Sequence, residues 1–232
     1  MALIKYGGGI VQMSGSIAGN THARNRFGNY MRARTKPVNP NTDAQASVRA
    51  VIAFLTEHWK DALSDAQRTA WNTYAAAIAW NNKLGEVVHL TGFNHFMRAN
   101  SFLSRLDKTV VLAGPTVLSL PVQDPLFSCT GVVGGNAITV TFDDTLDWDN
   151  ETGGYLVYYQ GQPQPHTRNF FNGPWKLLSY TAGVDGVPVA SPVVETGVYT
   201  LIEGQRVWVK ARIIRADGRM SGEFQSDFIV GP

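Results

Sequence analysis

The stretch that decides the fold of the N-terminal half is KPVNPNTDAQASVRAVIAFLTEHWKDALSDAQRTAWN, residues 36–72. Pro40 disfavours helical backbone at the residue before it, so the chain that precedes it is predicted to be extended. Thr42 can then cap a helix that begins at Asp43. Gln45 follows Thr42 by three residues, so the pair can close a capping box. The stretch therefore predicts a helix with a defined start.

Two further helices are predicted after the first. Ser64 and Gln67 repeat the capping box, and Thr91 can cap a third helix. Large apolar residues recur at three- and four-residue intervals, which is typical of helices that share a core. Aromatic stripes of this kind indicate packing and not a cofactor site. The predicted helical core contains Val48, Val51, Ile52, Leu55 and Trp59, then Trp71, Tyr74 and Ile78, and finally Phe93, Phe96, Met97, Leu103 and Leu106.

The chain before these helices is a basic, glycine-rich arm. Residues 1–42 contain six basic and no acidic residues, whereas the remainder has 14 basic and 18 acidic residues. This asymmetry predicts that the arm meets an acidic surface, which could be DNA, an acidic face of another protein, or the acidic remainder of a neighbouring copy. Short strands interrupted by glycine are marginal alone, so we expect the arm to order against another subunit.

The basic residues of the arm are the predicted docking residues: Arg24, Arg26, Arg32, Arg34 and Lys36. The arginines fall in two pairs at i and i+2, a spacing that places both members of a pair on one face of a strand. Gly28-Asn29 between the pairs offers a turn. We therefore expect residues 24–34, RNRFGNYMRAR, to form a hairpin with a basic face.

The composition changes after the third helix. Pro115 and Pro121 exclude a long helix from residues 109–124, so this segment is predicted to be an extended linker. Alternating apolar and polar residues separated by turns then predict a β-sandwich. Its strand candidates are Ala137–Phe142, Tyr155–Gln160, Trp175–Tyr180, Val198–Ile202, Arg206–Arg215 and Glu223–Val230.

The predicted fold class is α+β with two domains. An extended docking arm (1–41) precedes a helical unit (42–108), and the linker (109–124) leads to an all-β sandwich (125–232). A chain of 232 residues is long enough for two units that each bury a core. Hydrophobic residues make up 44% and charged residues only 16%, so we expect partners to cover much of the surface.

Several function classes find no support in the sequence. Cys129 is the only cysteine and is predicted to be a buried thiol, and no apolar run is long enough to span a membrane. No catalytic set, cofactor motif or metal-ligand spacing is present, so the protein is predicted not to be an enzyme. The acidic loop at 143–151 offers oxygen ligands for calcium, but their spacing is not that of an EF-hand.

A pattern in residues 1–106 consists of Asn39-Pro40, Thr42, Gln45, Arg49, Trp59, Leu63, Ser64, Gln67, Arg68, Trp71-Asn72, Thr91-Gly92-Phe93-Asn94-His95-Phe96 and Asn100. With this pattern, the region resembles a family of mostly uncharacterised proteins of tailed bacteriophages and prophages, which implies a structural, virion-associated protein. The second half contains ITVTFDD (138–144), GYLVYYQ (154–160) and RVWVKARIIRADGRMSG (206–222). Through these strands, residues 125–232 resemble a fibronectin type III module of the immunoglobulin-like class.

The leading hypothesis is a non-enzymatic virion structural protein of a tailed bacteriophage, made in the bacterial host cytoplasm. It would be a capsid-decorating, neck, tail or fibre-attachment component that docks through its arm. Its partners would be other virion proteins and further copies of itself. The alternative is a nucleic-acid-binding protein that uses the arm against phosphate. A glycan-acting enzyme or a surface adhesion module comes third.

Overall fold

The computed structural model describes residues 2–36 and 38–232. Within them the chain mixes helices with antiparallel sheets, as predicted, and no helix in that part is long and apolar enough to cross a membrane. The α-helices are α1 (Asp43–Glu57), α2 (Asp65–Ala77) and α3 (Gly92–Arg105). The strands are β1 (Ala2–Leu3), β2 (Gly15–Ile17), β3 (Asn20–Asn25), β4 (Gly28–Ala33), β5 (Trp80–Asn81), β6 (Val87–Val88), β7 (Ser128–Val132), β8 (Ala137–Thr141), β9 (Tyr155–Gly161), β10 (Trp175–Ala182), β11 (Val193–Thr196), β12 (Arg206–Ile214) and β13 (Phe224–Ile229).

The arm forms a small antiparallel sheet with the strand order β1-β4-β3-β2. The predicted hairpin is present as β3 and β4, but its turn is Arg26-Phe27 and not Gly28-Asn29. The side-chain oxygen of Asn25 accepts a hydrogen bond from the Phe27 N–H at 2.9 Å, which closes the turn two residues earlier than expected. Gly28 consequently pairs with Asn25 as the first residue of β4.

The three predicted helix starts are confirmed. Thr42, Ser64 and Thr91 accept a hydrogen bond from the backbone N–H three residues later, at 3.4, 3.3 and 3.2 Å, respectively. In the first two, the glutamine side chain returns the bond to the cap residue, so both capping boxes are complete. A short π-helical turn at His58–Ala62 joins α1 to α2.

The helices share an aromatic core, with two corrections to the prediction: Leu103 and Leu106 pack in the cluster that α3 forms with the sandwich, and Val48 and Ile52 lie outside the core. The buried members are Leu55, Leu63, Trp71, Tyr74, Ile78, Phe96 and Ala99. Val48 and Ile52, which we expected in this core, are 44% and 48% exposed. The reason is that α1 packs mainly against α3, which covers Val51 and Leu55 but leaves the neighbouring side of α1 open.

The C-terminal half consists of two facing sheets, β10-β9-β12-β13 and β11-β8-β7. The predicted alternation along β12 is confirmed, because Val207, Val209, Ala211 and Ile213 all point into the space between the sheets. The other buried members of this core are Cys129, Ile138, Val140, Phe142, Trp148, Leu156, Tyr158, Leu201, Phe228 and Val230.

One predicted strand is wrong. Residues 198–202 are not a strand, and the strand in this part of the chain is β11, at Val193–Thr196. The backbone N–H groups of the misassigned segment bond to side chains and not to a neighbouring strand. Gln160 Oε1 accepts from Val198 at 2.6 Å, and Asn136 Oδ1 accepts from Leu201 at 2.7 Å.

A third apolar cluster joins the helices to the sandwich. Phe102 and Leu103 of α3 pack on Val157, Ile214 and Met220, which belong to the outer face of the four-stranded sheet and the loop beyond it. Residues 109–124, the predicted linker, run along α2 and α3 without regular secondary structure.

Hydrogen bonds from two side chains, Trp71 and Asn100, fix this segment against the helices. Trp71 Nε1 donates to the Leu112 carbonyl at 3.0 Å, and Asn100 exchanges hydrogen bonds of 2.7 and 3.0 Å with the Val111 backbone. Gly114 lies so near α2 that a Cβ there would be 2.6 Å from the backbone nitrogen of Trp71, so a larger residue would displace the segment.

Candidate docking surface

The arm has no core of its own. None of the described residues before Leu55 is buried, although this part of the chain includes four strands and most of α1. A sheet normally buries at least one face against another layer, and the arm sheet buries neither. The chain exposes 12994 Å², about a quarter more than the roughly 10,300 Å² expected for a compact monomer of its mass. The arm therefore has surface that the rest of the chain does not cover.

Exposed polar contacts hold the arm against the helical unit. Lys5 Nζ lies 2.6 Å from Glu86 Oε1, and both side chains are largely solvent-exposed. Ion pairs between solvent-exposed side chains contribute little to stability, because water and salt screen them. Within the arm, the Tyr6 hydroxyl and His22 Nδ1 are hydrogen-bonded at 2.9 Å. These contacts orient the arm but do not bury a core within it.

Arg49 connects the end of the arm to α1. Its guanidinium donates to Asn39 Oδ1 and to Asn41 Oδ1, each at 2.8 Å, and so fixes the turn around Pro40. Arg49 is one of the residues on which the phage-family resemblance rests, and that resemblance assigns it no contact. A signal was present in the sequence, because Arg49 lies two helical turns after Asn41, within reach of a long side chain.

The four arginines of the hairpin do not form one basic face, so that expectation is wrong. Arg24 pairs with Asn29 across the hairpin, whereas Arg32 pairs with Thr21. A two-residue turn pairs even-numbered with odd-numbered positions, and residues directly opposite each other share a face. Arg24 and Arg32, which are both even-numbered, therefore lie on opposite faces of the sheet.

The remaining predicted residues surround this sheet. Arg26 lies in the turn, while Arg34 and Lys36 follow the end of β4. All five predicted docking residues are exposed, and none forms a salt bridge within the part of the chain that the structure describes. Arg24 has one hydrogen-bond partner, Gln12 Oε1, at 3.0 Å. The arm therefore presents positive charge on both faces and at its tip.

The acidic loop at 143–151 already has partners inside the chain. Arg215 donates to Asp147 at 2.9 Å and to both oxygens of Glu151, and these carboxylates raise its pKa. Asp149 is buried and accepts a backbone N–H at 2.9 Å, and burial raises the pKa of its carboxyl. Much of the loop's negative charge is thus compensated by the sandwich itself.

Two buried groups, Cys129 and His95, have shifted pKa values, but neither lies within a catalytic set of residues. Burial raises the pKa of the Cys129 thiol to about 12, so the thiolate is disfavoured at neutral pH. Burial, followed by the charge of Arg98, lowers the pKa of His95 to about 4. Within residues 2–36 and 38–232, no three His, Cys, Asp or Glu side chains are grouped so that they could hold a metal ion.

Comparison with solved structures finds several similar chains, among them the following two. An Fn3-like protein from Clostridium thermocellum is 13% identical, with a TM-score of 0.32 over 49% of this chain and 97% of the other. The adhesin domain of Epf from Streptococcus pyogenes is 15% identical, with a TM-score of 0.30 over 49% of this chain and 33% of that one. No family model and no curated protein matches the sequence. TM-scores at this level do not establish a shared fold.

Proposed function

We propose that the protein is a non-enzymatic structural component of a multisubunit particle, the virion of a tailed bacteriophage, and that its N-terminal arm docks it there. The observation that carries the proposal is the absence of any buried residue among the described residues before Leu55. Folding must offset the loss of backbone entropy, about 1–2 kcal/mol per ordered residue, and burial of apolar surface is the main term that does so. A second chain would supply the burial that the arm lacks.

The charge of the arm favours an acidic protein surface as its docking site. Guanidinium groups form bidentate pairs with carboxylates, and Arg24 and Arg32 are held in register by the arm sheet. Because Arg24 and Arg32 face opposite sides, the arm is suited to a cleft between two surfaces. An arm inserted between neighbouring subunits would have both faces covered, which a flat docking site would not achieve.

The sandwich would be the part that projects from the particle. We assign it to the fibronectin type III-like, immunoglobulin-like class on its strand order, with three strands (β7, β8, β11) facing four (β9, β10, β12, β13). Its core is complete without a partner, and α3 covers part of its outer face. A module with these properties can stand away from the site at which the arm is bound.

The proposal is tested by removing the arm's charge. Replacing Arg24, Arg26, Arg32 and Arg34 with Ser should abolish incorporation of the protein into particles, as measured by mass spectrometry of purified virions. The purified variant should keep the thermal unfolding midpoint of the parent, because none of the four residues is buried. A control with Lys60 and Lys83 replaced by Ser removes exposed positive charge from the helical unit, away from the arm, and should still be incorporated.

DNA binding by the same arm is the competing outcome. If the arm binds phosphate, the purified parent protein will bind duplex DNA with an affinity that falls steeply with salt, and the quadruple variant will lose that binding. Normal incorporation of the quadruple variant into particles would contradict docking through the arginines. Symmetry-related copies in a cryo-EM map of the virion, with the arm inserted between subunits, would support it directly.

A further inference from the structure

A groove distinct from the arm runs along α3. Its floor is α3, one wall is α1, and the other wall is formed by β9 and β12 of the sandwich. The cavity has a volume of about 440 Å³, which lies in the range of functional pockets, about 300–1,000 Å³. It is bordered on α3 by Asn94 at one end and by Arg105 at the other. At 1.5 Å per residue, this corresponds to about 16 Å, or three helical turns.

The lining of the groove is apolar, and one wall continues as exposed apolar surface. The apolar lining comes mainly from Val48, Ile52, Met97, Phe102, Ile214 and Met220. On α1, Val48 and Ile52 lie one turn apart on the same side and are nearly half exposed. An apolar strip of this kind, bordering a groove, is typical of a surface that a partner covers.

The charged residues at the groove are all of one sign. Arg98, Arg105 and Arg212 border it, and none of the described residues that line it is acidic. Glu223 is the nearby carboxylate, and it is already shared by Arg212 at 2.5 Å and Lys210 at 2.9 Å. Burial, and after it the charge of Arg212, lowers the pKa of Arg98 to about 10, which agrees with positive charge that is not fully compensated.

These arginines differ in how free they are to bind a partner. Arg98 donates to the carbonyls of Met220 and Ser221 at 2.6 and 2.5 Å, so its donors are largely used within the chain. Arg105 is exposed, and no hydrogen bond or salt bridge of its side chain occurs within the described residues. Arg105 is therefore the residue best placed to bind a carboxylate from outside.

We infer that this groove binds an acidic amphipathic helix of a partner protein. The apolar lining would receive side chains at positions i, i+3, i+4 and i+7, and acidic residues flanking them would pair with Arg105 and Arg212. The length of the groove matches three turns of such a helix. A second copy of this chain is a poorer occupant, because its exposed arm is basic and α1 has a net charge of only −1.

The test is a selection on the full chain. A displayed library of helical peptides about 18 residues long, roughly 27 Å of helix, is panned against the purified protein, with the positions outside a fixed apolar stripe randomised. The selected peptides should be enriched in Asp and Glu. Their affinity, measured by fluorescence anisotropy, should fall about tenfold or more in each of two variants, Arg105→Glu and Ile52→Glu.

Matched controls come from the arm, where an exposed arginine and an exposed isoleucine are also present. Arg32→Glu and Ile17→Glu make the same chemical changes away from the groove and should leave peptide affinity unchanged. If Ile52→Glu fails to fold, as judged by circular dichroism, Arg105→Glu alone still decides the question, because Arg105 is exposed.

Four results would overturn the inference. They are the absence of any selected peptide, selection without enrichment of acidic residues, binding that survives both groove variants, and displacement of the peptides by DNA. Self-association of the parent protein that Ile52→Glu abolishes, measured by analytical ultracentrifugation, would assign the groove to a second copy and would equally contradict a foreign helix.

Discussion

The arm and the sandwich are both built from antiparallel strands, but they differ in whether those strands bury a core. In the arm, four strands leave every described residue at least partly exposed, whereas the strands of the sandwich enclose a core that includes Ile138, Val140, Leu156 and Val207 at 0% exposure. The difference is the second layer, because the arm has only one sheet and the sandwich has two. Strand pairing thus sets the local geometry, and a second layer supplies the stability.

The helical unit lies between these extremes. α2 and α3 are packed into the body, while α1 has one buried residue, Leu55, and an open side. Burial therefore increases along the chain, from the arm through α1 to the sandwich. We call α2, α3 and the sandwich the body of the protein. If only the body unfolds cooperatively, a substitution in the body should lower the global free energy of unfolding. The same type of substitution in the arm should leave the global free energy of unfolding unchanged.

The largest expected difference is for apolar truncation. Trp148 is 1% exposed and packs against Phe142, so Trp148→Ala should lower the free energy of unfolding by about 3–5 kcal/mol. Ile17 in β2 is 57% exposed, and Ile17→Ala should change it by less than about 0.5 kcal/mol. Urea denaturation of both variants measures the difference. Similar losses for the two would mean that the arm unfolds with the body.

The second prediction concerns pH. The folded-state pKa of His95, about 4, lies below its ordinary value of 6.5, so the unfolded chain binds the proton more readily. Stability from this group is complete above pH 6.5 and is lost as pH falls towards 4, by up to about 3 kcal/mol. His95→Gln, whose amide oxygen can still accept from Trp80, should flatten the dependence of unfolding free energy on pH in this range.

His22, in the arm, provides the control for that measurement. It is hydrogen-bonded to Tyr6, but the arm has no core to lose. His22→Gln should therefore reproduce the pH profile of the parent protein in urea titrations between pH 4 and 7. An equal flattening by both substitutions would show that the arm contributes to the cooperative unit.

The sequence correctly predicted those features that depend on interactions between residues close in the chain. Thr42, Ser64 and Thr91 begin helices because each cap bonds to a backbone N–H only three residues away. The alternation in β12 predicted its buried side for the same reason, since the period of a strand depends on neighbouring residues alone. Cys129 was correctly placed as a buried thiol.

Two failures came from contacts between distant residues. The strand at 198–202 was wrong because Gln160, far along the chain, accepts a hydrogen bond from the backbone N–H of Val198. The exposure of Ile52 depends on how α3 packs against α1, which the local sequence pattern does not predict. The single basic face expected for the predicted docking residues failed for a local reason, because any two-residue turn, at Gly28-Asn29 or at Arg26-Phe27, places Arg24 and Arg32 on opposite faces.

The third prediction addresses the joint between the helical unit and the sandwich. Arg98 donates to two carbonyls beyond β12, and its guanidinium lies 4.9 Å from the centre of the Trp80 ring. Arg98→Met keeps much of the apolar stem but leaves those carbonyls without a donor, which should lower the free energy of unfolding by about 2 kcal/mol. Arg32→Met, on the exposed arm, should be neutral.

A fragment of residues 125–232 extends this test. Without α3, the fragment would expose the apolar side chains of Val157, Ile214 and Met220. We expect it to fold with a lower urea midpoint than the sandwich in the full chain and to bind a hydrophobic dye. A fragment with an unchanged midpoint would show that the joint contributes nothing to the stability of the sandwich.

The smallest expected effect compares two copies of one motif. Ser64 and Thr42 close capping boxes of the same design, but Ser64 begins the packed helix α2, and Thr42 begins the open half of α1. Loss of an N-cap typically costs about 1 kcal/mol. Ser64→Ala should lower the global free energy of unfolding by that amount, because Trp71 and Tyr74 of α2 belong to the core.

Thr42→Ala should instead act only locally. None of the first twelve residues of α1 is buried, so its first turn can open without disturbing Leu55. We expect the urea midpoint to remain that of the parent protein, while amide hydrogen exchange in the first turn of α1 becomes about fivefold faster, the factor that corresponds to about 1 kcal/mol. If the arm docks on a second chain as proposed, binding should remove the difference, because a helix held at its start by that chain no longer depends on its cap. Equal losses of global stability from the two alanine substitutions would contradict the division between arm and body.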